Sequence, residues 1–353
     1  MNLTEHPVYI NDLTTTITSF KHWDLFKNKS FLISGASGMI GSFLVDLLMY
    51  QNIHDNLNCK IFGLGRDQER AKKRFIRYWK HPNFSFIAQD LNNNEFFLEE
   101  PVDFVLHLAS NTHPVYYSNF PVETILTNVV GTNNLLNWAS ENNVKRFLFA
   151  SSVEIYGENK GDVEDFKEDY LGYIDCNTLR AGYPESKRVG ESLCQAYIKQ
   201  KKLDVVIARL CRTYGPTMLF SDSKAHAQFI RNGINKENII LKSEGKQYYS
   251  YLYVADAVLA LLIILSKAEN GQAYNVSDEK SNITLTNFAS IVAKIAKANL
   301  VYDLPNEIEK AGYSKATKAT LNSDRLKALG FTANFDIDKG IHNTLYISQD
   351  MDL

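Results

Sequence analysis

Short apolar runs alternate with longer amphipathic stretches along the first two-thirds of this 353-residue chain. "SFLISG" (30–35), "KIFGLG" (60–65), "FSFIAQDL" (84–91), "VDFVLHLAS" (102–110), "RFLFASS" (146–152) and "DVVIARL" (204–210) have the look of strands buried on both faces. Between them, "MIGSFLVDLLMYQ" (39–51), "DQERAKKRFIRYW" (67–79) and "VETILTNVVGTNNLLNWASEN" (122–142) predict helices, with one more carrying Tyr183 and Lys187 between the last two strands. Alternation of this kind predicts an α/β fold built on a doubly wound parallel sheet. After about residue 215 the pattern loosens. "HAQFIRNGI" and "LTNFASIVAKIAKA" read as helices, "NIILKSE" as a short strand, and "QYYSYLYVADAVLALLIIL" as a strand running into a helix. "LNSDRLKALGF" reads as a short helix closed by Gly330. Residues 1–28 show no clear periodicity, and neither repeats nor low-complexity linkers occur.

Composition narrows the function classes. Hydrophobic residues make up 45% and charged residues 22%, an ordinary globular balance. A net charge of −2 argues against nucleic acid or an anionic membrane as partner. The longest apolar run, "AVLALLIIL", falls far short of the roughly 20 residues that span a bilayer. The start "MNLTEHPVYINDL" has no basic stretch followed by an apolar core, so no signal peptide is expected. Cys59, Cys176, Cys194 and Cys211 form no C-x-x-C pair and are expected as reduced thiols in a cytoplasmic protein, with no metal site.

The first strand–helix junction carries chemistry. "GASGMIG" places Gly35, Gly38 and Gly41 where a tight turn, close approach to a pyrophosphate and close strand–helix packing need them. The helix start then faces the anion, which predicts dinucleotide binding. Residues 29–215 are therefore expected as a dinucleotide-binding Rossmann domain behind an N-terminal extension (1–28). Residues 216–353 are expected as mainly a substrate-binding lobe, interleaved with the end of the sheet. An acid closing the second strand would grip a ribose diol, as in NAD binding. Here Gly65 holds that place and Arg66 follows, suited to the 2′-phosphate of NADP or to stacking on adenine. Asp67 is an alternative ribose ligand, and Arg70, Lys72 and Lys73 read as a solvated face. Asp90 ends the third strand, where it either accepts from the adenine amine or caps a helix.

A second constellation lies in "LRAGYPESKR". Tyr183 and Lys187 stand at i and i+4, hence on one helix face. An ammonium beside a phenol favours the phenolate, which turns tyrosine into a base usable near neutral pH. Ser152 sits where the fifth strand ends, the usual mouth of a site in such a sheet.

Taken in order, "SGASGMIGSFLV", "HLAS", "TNVVGTNNLL", "ASSVEIYG", "YPESK", "RTYGP" and "YVADAV" resemble the extended short-chain dehydrogenase/reductases that modify nucleotide sugars. The resemblance covers residues 30 to about 280. It implies a tightly held NAD or NADP that takes a hydride from sugar C4, with chemistry on the 4-keto species and usual return of the hydride. Arg66 leans toward NADP and internal redox chemistry toward NAD. The resemblance makes Tyr183 the base for the C4 hydroxyl, Lys187 its tuner and a ribose ligand, and Ser152 the group orienting that hydroxyl. It also carries cofactor contacts onto Ser37, Met39, Ile40, Leu91, Leu108, Ala109, Ser110 and Asn128, beside the glycines. Where 4,6-dehydratases carry an Asp-Glu pair, this chain has Val153-Glu154. Valine cannot donate a proton; the retained Glu154 looks like the UDP-glucuronate decarboxylases, which makes it a catalytic candidate, with a partner for a Lys or Arg near the loop as its other reading. The stretch "HLASNTHPVYYSNFPVETILTNVVGT" looks like those decarboxylases too, which implies Ser110 and His113 in a substrate loop. Three departures stand out. Tyr249 replaces the arginine of the lobe motif, and Arg212 replaces an asparagine before "YGP" and is expected to restore the charge that grips a diphosphate. Only Lys318 offers itself for the cation that meets a sugar carboxylate. The expected activity is decarboxylase- or dehydratase-like, with 4-epimerisation or NADPH-dependent reduction as alternatives. The resemblance also implies a homodimer through the 122–142 helix, whose apolar stripe of Ile125, Val129 and Leu136 suits such an interface or ordinary core equally.

Overall fold

The computed structural model describes residues 2–93, 96–112, 118–303 and 317–351. The six predicted strands form as β1 (Ser30–Ser34), β2 (Lys60–Gly65), β3 (Phe84–Ala88), β4 (Phe104–His107), β5 (Arg146–Ser152) and β6 (Val205–Leu210). The chain then makes β7 (Arg212–Tyr214), β8 (Ile239–Leu241) and β9 (Tyr248–Tyr253) before returning to the sheet as β10 (Ala273–Val276). The result is a seven-stranded sheet in the order β10-β6-β5-β4-β1-β2-β3, parallel throughout. This is the doubly wound arrangement that the alternation predicts. The strand β10 was not foreseen: "AYNV" is short and carries a buried Asn275 that breaks the apolar run.

Alternate residues of β1 serve two cores. Phe31 and Ile33 pack with Leu44 and Leu47 of α2 (Met39–His54). Leu32 faces Leu135 and Leu136 of α4 (Pro121–Glu141). Between those helices runs α3 (Gln68–Arg74), which stops well short of the predicted charged helix. Leu136 is fully buried, so it belongs to the core and not to an exposed stripe. A long helix, α5 (Gly182–Lys201), packs against α4 on this side. The apolar helix after β9 covers the other side; it is numbered α7 (Val254–Lys267), after α6 (Ala225–Ile234). No described helix is long and apolar enough to cross a membrane.

The N-terminal segment is structured too. Residues Pro7–Ser19 form α1, which packs on α2 and α7. Its buried face mixes Tyr9 and Leu13 with Asp12 and Thr16, which hides the helical period from a hydropathy reading. Tyr9 donates to Asp46 Oδ2 (2.6 Å) on α2. Asp12 accepts from Tyr253 (2.6 Å) and from Asn343 (2.8 Å) on the C-terminal helix Ile337–Gln349. Burial pushes the Asp12 carboxyl up to about 6, against those two hydrogen bonds.

Beyond the large sheet, β9 pairs with β7, with β11 (Asn282–Thr284) and, after β12 (Leu300–Tyr302), with β13 (Lys318–Ala319). This small sheet brings Arg212 beside Tyr251, next to the end of β5.

Candidate active site

At the end of β1, Gly35 adopts φ +70°, and a Cβ there would lie 2.8 Å from the Ala109 nitrogen. The missing side chain lets the turn abut the chain leaving β4. A Cβ on Gly41 would sit 2.4 Å from the Gly35 carbonyl oxygen. Gly38 caps α2 without a side-chain bond, so the amides of Met39, Ile40 and Gly41 open the helix with no partner within it. This cradle, which side chains would fill, fits a pyrophosphate at a helix start.

The edge of the glycine turn carries guanidinium groups. Arg66, just past Gly65, reaches Asn111 Oδ1 (3.4 Å). Arg70, Lys72 and Lys73 are exposed, as the solvated-face reading has them, and Arg70 also donates to Ser37 Oγ (3.3 Å) in the glycine turn. The Asp67 carboxylate accepts from the Arg70 amide (2.9 Å), so it serves as the cap of α3. Asp90 accepts from the Asn92 amide (3.0 Å), a local turn in place of the helix cap considered above. Leu91 is buried under α4.

An unbroken chain of contacts leads from this cradle to the tyrosine. Leu108 and Ala109 abut Gly35, and the Ala109 amide donates to Ser34 Oγ (3.2 Å). Next along the chain, Ser110 donates to Asn128 Oδ1 (2.7 Å). Asn128 donates to Ser186 Oγ (2.9 Å), and Ser186 to the Tyr183 carbonyl (2.8 Å). Beneath it, His107 joins Ser34 (2.6 Å) to Thr132 (2.9 Å). Burial, with Lys187 nearby, pushes His107 down to about 3, so it is a neutral strut. Ser34, His107, Thr132 and Ser186 escaped sequence reasoning; "SGASGMIGSFLV", "HLAS", "TNVVGTNNLL" and "YPESK" located their segments without their roles.

Tyr183 lies in the first turn of α5 and is 8% exposed. Lys187, one turn on, donates to the Ala150 carbonyl (2.8 Å) and lies 5.0 Å over the Phe149 ring. Its burial lowers the ammonium to about 8, against the raising effect of Glu191. Gly190 lets α5 press on β5, since a Cβ there would be 2.5 Å from Phe149 Cζ. Ser152 ends β5 and accepts from the Glu154 amide (3.2 Å), which folds Val153–Tyr156 into a short turn against α5.

Glu154 is flanked by cations. Its two oxygens lie 3.7 Å from Arg180 and 3.7 Å from Arg212. The Arg212 guanidinium rests 3.4 Å over the Tyr249 ring. The two departures noted in the sequence are therefore neighbours in space. Lys318 stands elsewhere along β9, opposite Tyr248, and lines a groove with residues 159–164. Glu154 pairs with Arg180 and Arg212 instead. His113 lies outside the described residues.

Comparison with known proteins supplies the frame for this geometry. A family model for the NAD dependent epimerase/dehydratase family matches residues 31–277. The chain is 35% identical to UDP-glucuronic acid decarboxylase 1 of Xenopus tropicalis over 67% of its own length and 54% of the relative's. It is 30% identical to UDP-glucuronic acid decarboxylase 1 of Danio rerio, over 92% of this chain and 74% of that one. It thus spans about half the length of the first relative and three-quarters of the second. A UDP-glucose 4-epimerase from Thermotoga maritima, solved with UDP-glucose, superposes with TM-score 0.78 at 22% identity over 90% of this chain and 98% of that one.

Proposed function

This chain belongs to the NAD dependent epimerase/dehydratase family, and from that premise we propose that it oxidises C4 of a nucleotide sugar transiently and decarboxylates it. The observation that carries the reading is the contact chain from the glycine cradle through Ser110, Asn128 and Ser186 to Tyr183. Gly35, Ser37, Gly38, Met39, Ile40 and Gly41 would hold the dinucleotide pyrophosphate, with Leu91, Leu108 and Ala109 alongside. Bound there, the nicotinamide would accept the C4 hydride. Ser152 orients the C4 hydroxyl, and Tyr183 takes its proton under the positive charge of Lys187. Val153 is buried and apolar, so the position offers no acid for a leaving hydroxyl. Glu154, between two guanidiniums, is placed as a carboxylate partner to cations. A β-keto acid loses carbon dioxide without further acid at C5, which favours decarboxylation over dehydration.

A second reading, NADPH-dependent reduction, draws on the edge of the glycine turn: Arg66 and Arg70 are there, and Asp67 is committed to its cap. Apolar side chains exposed on α4, including Val122, Ile125 and Leu126, support a homodimer. Four unpaired cysteines support a reducing, cytoplasmic setting.

The test incubates the purified protein with UDP-, dTDP-, CDP- and GDP-sugars and weighs the products. Loss of carbon dioxide is expected; loss of water, or an epimer of unchanged mass, would replace the decarboxylase reading. Denaturing the protein releases its dinucleotide for identification: NAD supports internal redox cycling, and NADP with a net-reduced product supports the reductase.

A further inference from the structure

Arg180 and Arg212 approach different oxygens of Glu154, each at 3.7 Å. That is beyond ordinary hydrogen-bond distance. Neither guanidinium donates a closer bond among the described residues, and Arg212 Nη1 is buried without a partner. One face of Arg212 is covered by the Tyr249 ring, so its remaining capacity lies along the guanidinium edge. Deeper in, Tyr251 OH and His226 Nε2 are also buried and unpartnered. Tyr251 sits directly opposite Arg212 across the β7–β9 ladder, and His226 packs edge-on against Tyr251. Buried donors left unpaired are costly, most of all on a charged group. Two cations against one carboxylate leave this corner, just past Ser152, with a positive charge in excess.

We propose that Arg180 and Arg212 form a clamp for an oxyanion of the substrate that presents two acceptor oxygens, a carboxylate or a phosphate; this rests on the nucleotide-sugar reading above. Glu154 acts as the counter-ion that holds the two guanidiniums together before the ligand arrives. The clamp ties the two sequence departures into one change. The guanidinium absent from position 249 on β9 stands on β7 instead, stacked on the tyrosine that took its place. Arg180 adds a cation that the sequence reading did not assign, three residues before Tyr183. Arg suits this role because its planar fork matches a two-oxygen anion.

The oxyanion has two sources, and titration calorimetry separates them. Wild-type holoenzyme, Arg212→Gln and Arg180→Gln are titrated with UDP, dTDP, CDP and GDP, and with the glucose and glucuronate esters of each. A Kd raised tenfold or more for glucuronate esters alone assigns the clamp to the sugar carboxylate. The same loss for every ligand, free diphosphates included, assigns it to the diphosphate. Melting temperature and retained dinucleotide are expected to stay at wild-type values. Variants that bind every ligand within twofold of wild type overturn the clamp alone. So does loss of the dinucleotide from both variants, which would mark a structural role. If Arg212→Gln does not fold, the half-exposed Arg180→Gln still decides by the same criteria. A wild-type protein that binds none of the ligands overturns the nucleotide-sugar reading, and the clamp with it.

Discussion

Gly190→Ala sets two magnitudes against each other. An alanine in the middle of α5 should help the helix by about 1 kcal/mol. Its methyl would, however, stand 2.5 Å from Phe149 Cζ and 3.1 Å from Cε1. The first distance is about 0.9 Å inside the 3.4 Å at which ordinary contact begins. Phe149 is fully buried, so the ring cannot swing into solvent. Overpacking of this kind costs about 1–3 kcal/mol, which outweighs the propensity gain and leaves about 1 kcal/mol of net destabilisation. The displaced ring is also the one under the Lys187 ammonium. Moving α5 off β5 therefore moves Tyr183 and Lys187 away from Ser152. A displacement approaching 1 Å costs on the order of 100-fold in turnover, so at least a tenfold fall in kcat is expected. Urea unfolding and steady-state kinetics on the substrate identified by mass measure both quantities. A variant as stable as wild type that turns over within twofold would show that α5 is not held by this contact.

Two further outcomes follow from burial. The Lys187 ammonium is lowered from 10.5 to about 8 by desolvation, so the folded protein binds fewer protons than the unfolded chain between those values. Stability from this group is then lowest below pH 8 and rises toward pH 10.5, by about 3 kcal/mol. The gap in unfolding free energy between wild type and Lys187→Met should change by that order between pH 7.5 and 10, in favour of wild type, and a gap independent of pH would refute the burial argument. Leu126→Glu on α4 places a charge among exposed apolar side chains; on the homodimer proposed above, light scattering is expected to report a dimer for wild type and a shift toward monomer for the variant, and a monomeric wild type or an unchanged mass would overturn that interface.

The sequence announces those parts of the site that need particular backbone or side-chain chemistry. Gly35 and Gly41 are legible because any side chain there meets backbone atoms at under 3 Å. The shared helix face of Tyr183 and Lys187 is legible from their spacing, while the roles given to them come only from the family resemblance. The strut His107 is not legible: its partners Ser34 and Thr132 are 73 and 25 residues away. Long-range polar pairing leaves no periodic trace. The helix α1 is obscured for a related reason, since Asp12 faces inward only because Tyr253 and Asn343 meet it there. The placement of Arg70 depends on the path of α3 relative to the glycine turn, which no local pattern records.

Burial lowers the Lys187 ammonium, and what lies behind it offsets part of that effect. Glu191, one turn further along α5, is the acid whose field raises the Lys187 pKa. Its oxygens are already engaged: Oε1 accepts from Ser151 (2.5 Å) and Arg209 Nε (3.0 Å), and Oε2 from Arg209 Nη2 (2.7 Å). Arg209 is itself fixed by Tyr156 OH (2.8 Å) and the Glu168 carbonyl (2.7 Å). A carboxylate committed in this way lends Lys187 a favourable field without closing a direct ion pair on it. Lys187 donates instead to a neutral carbonyl, that of Ala150. In the mechanism proposed above, that uncommitted positive charge is what a Tyr183 phenol acting as base would draw on.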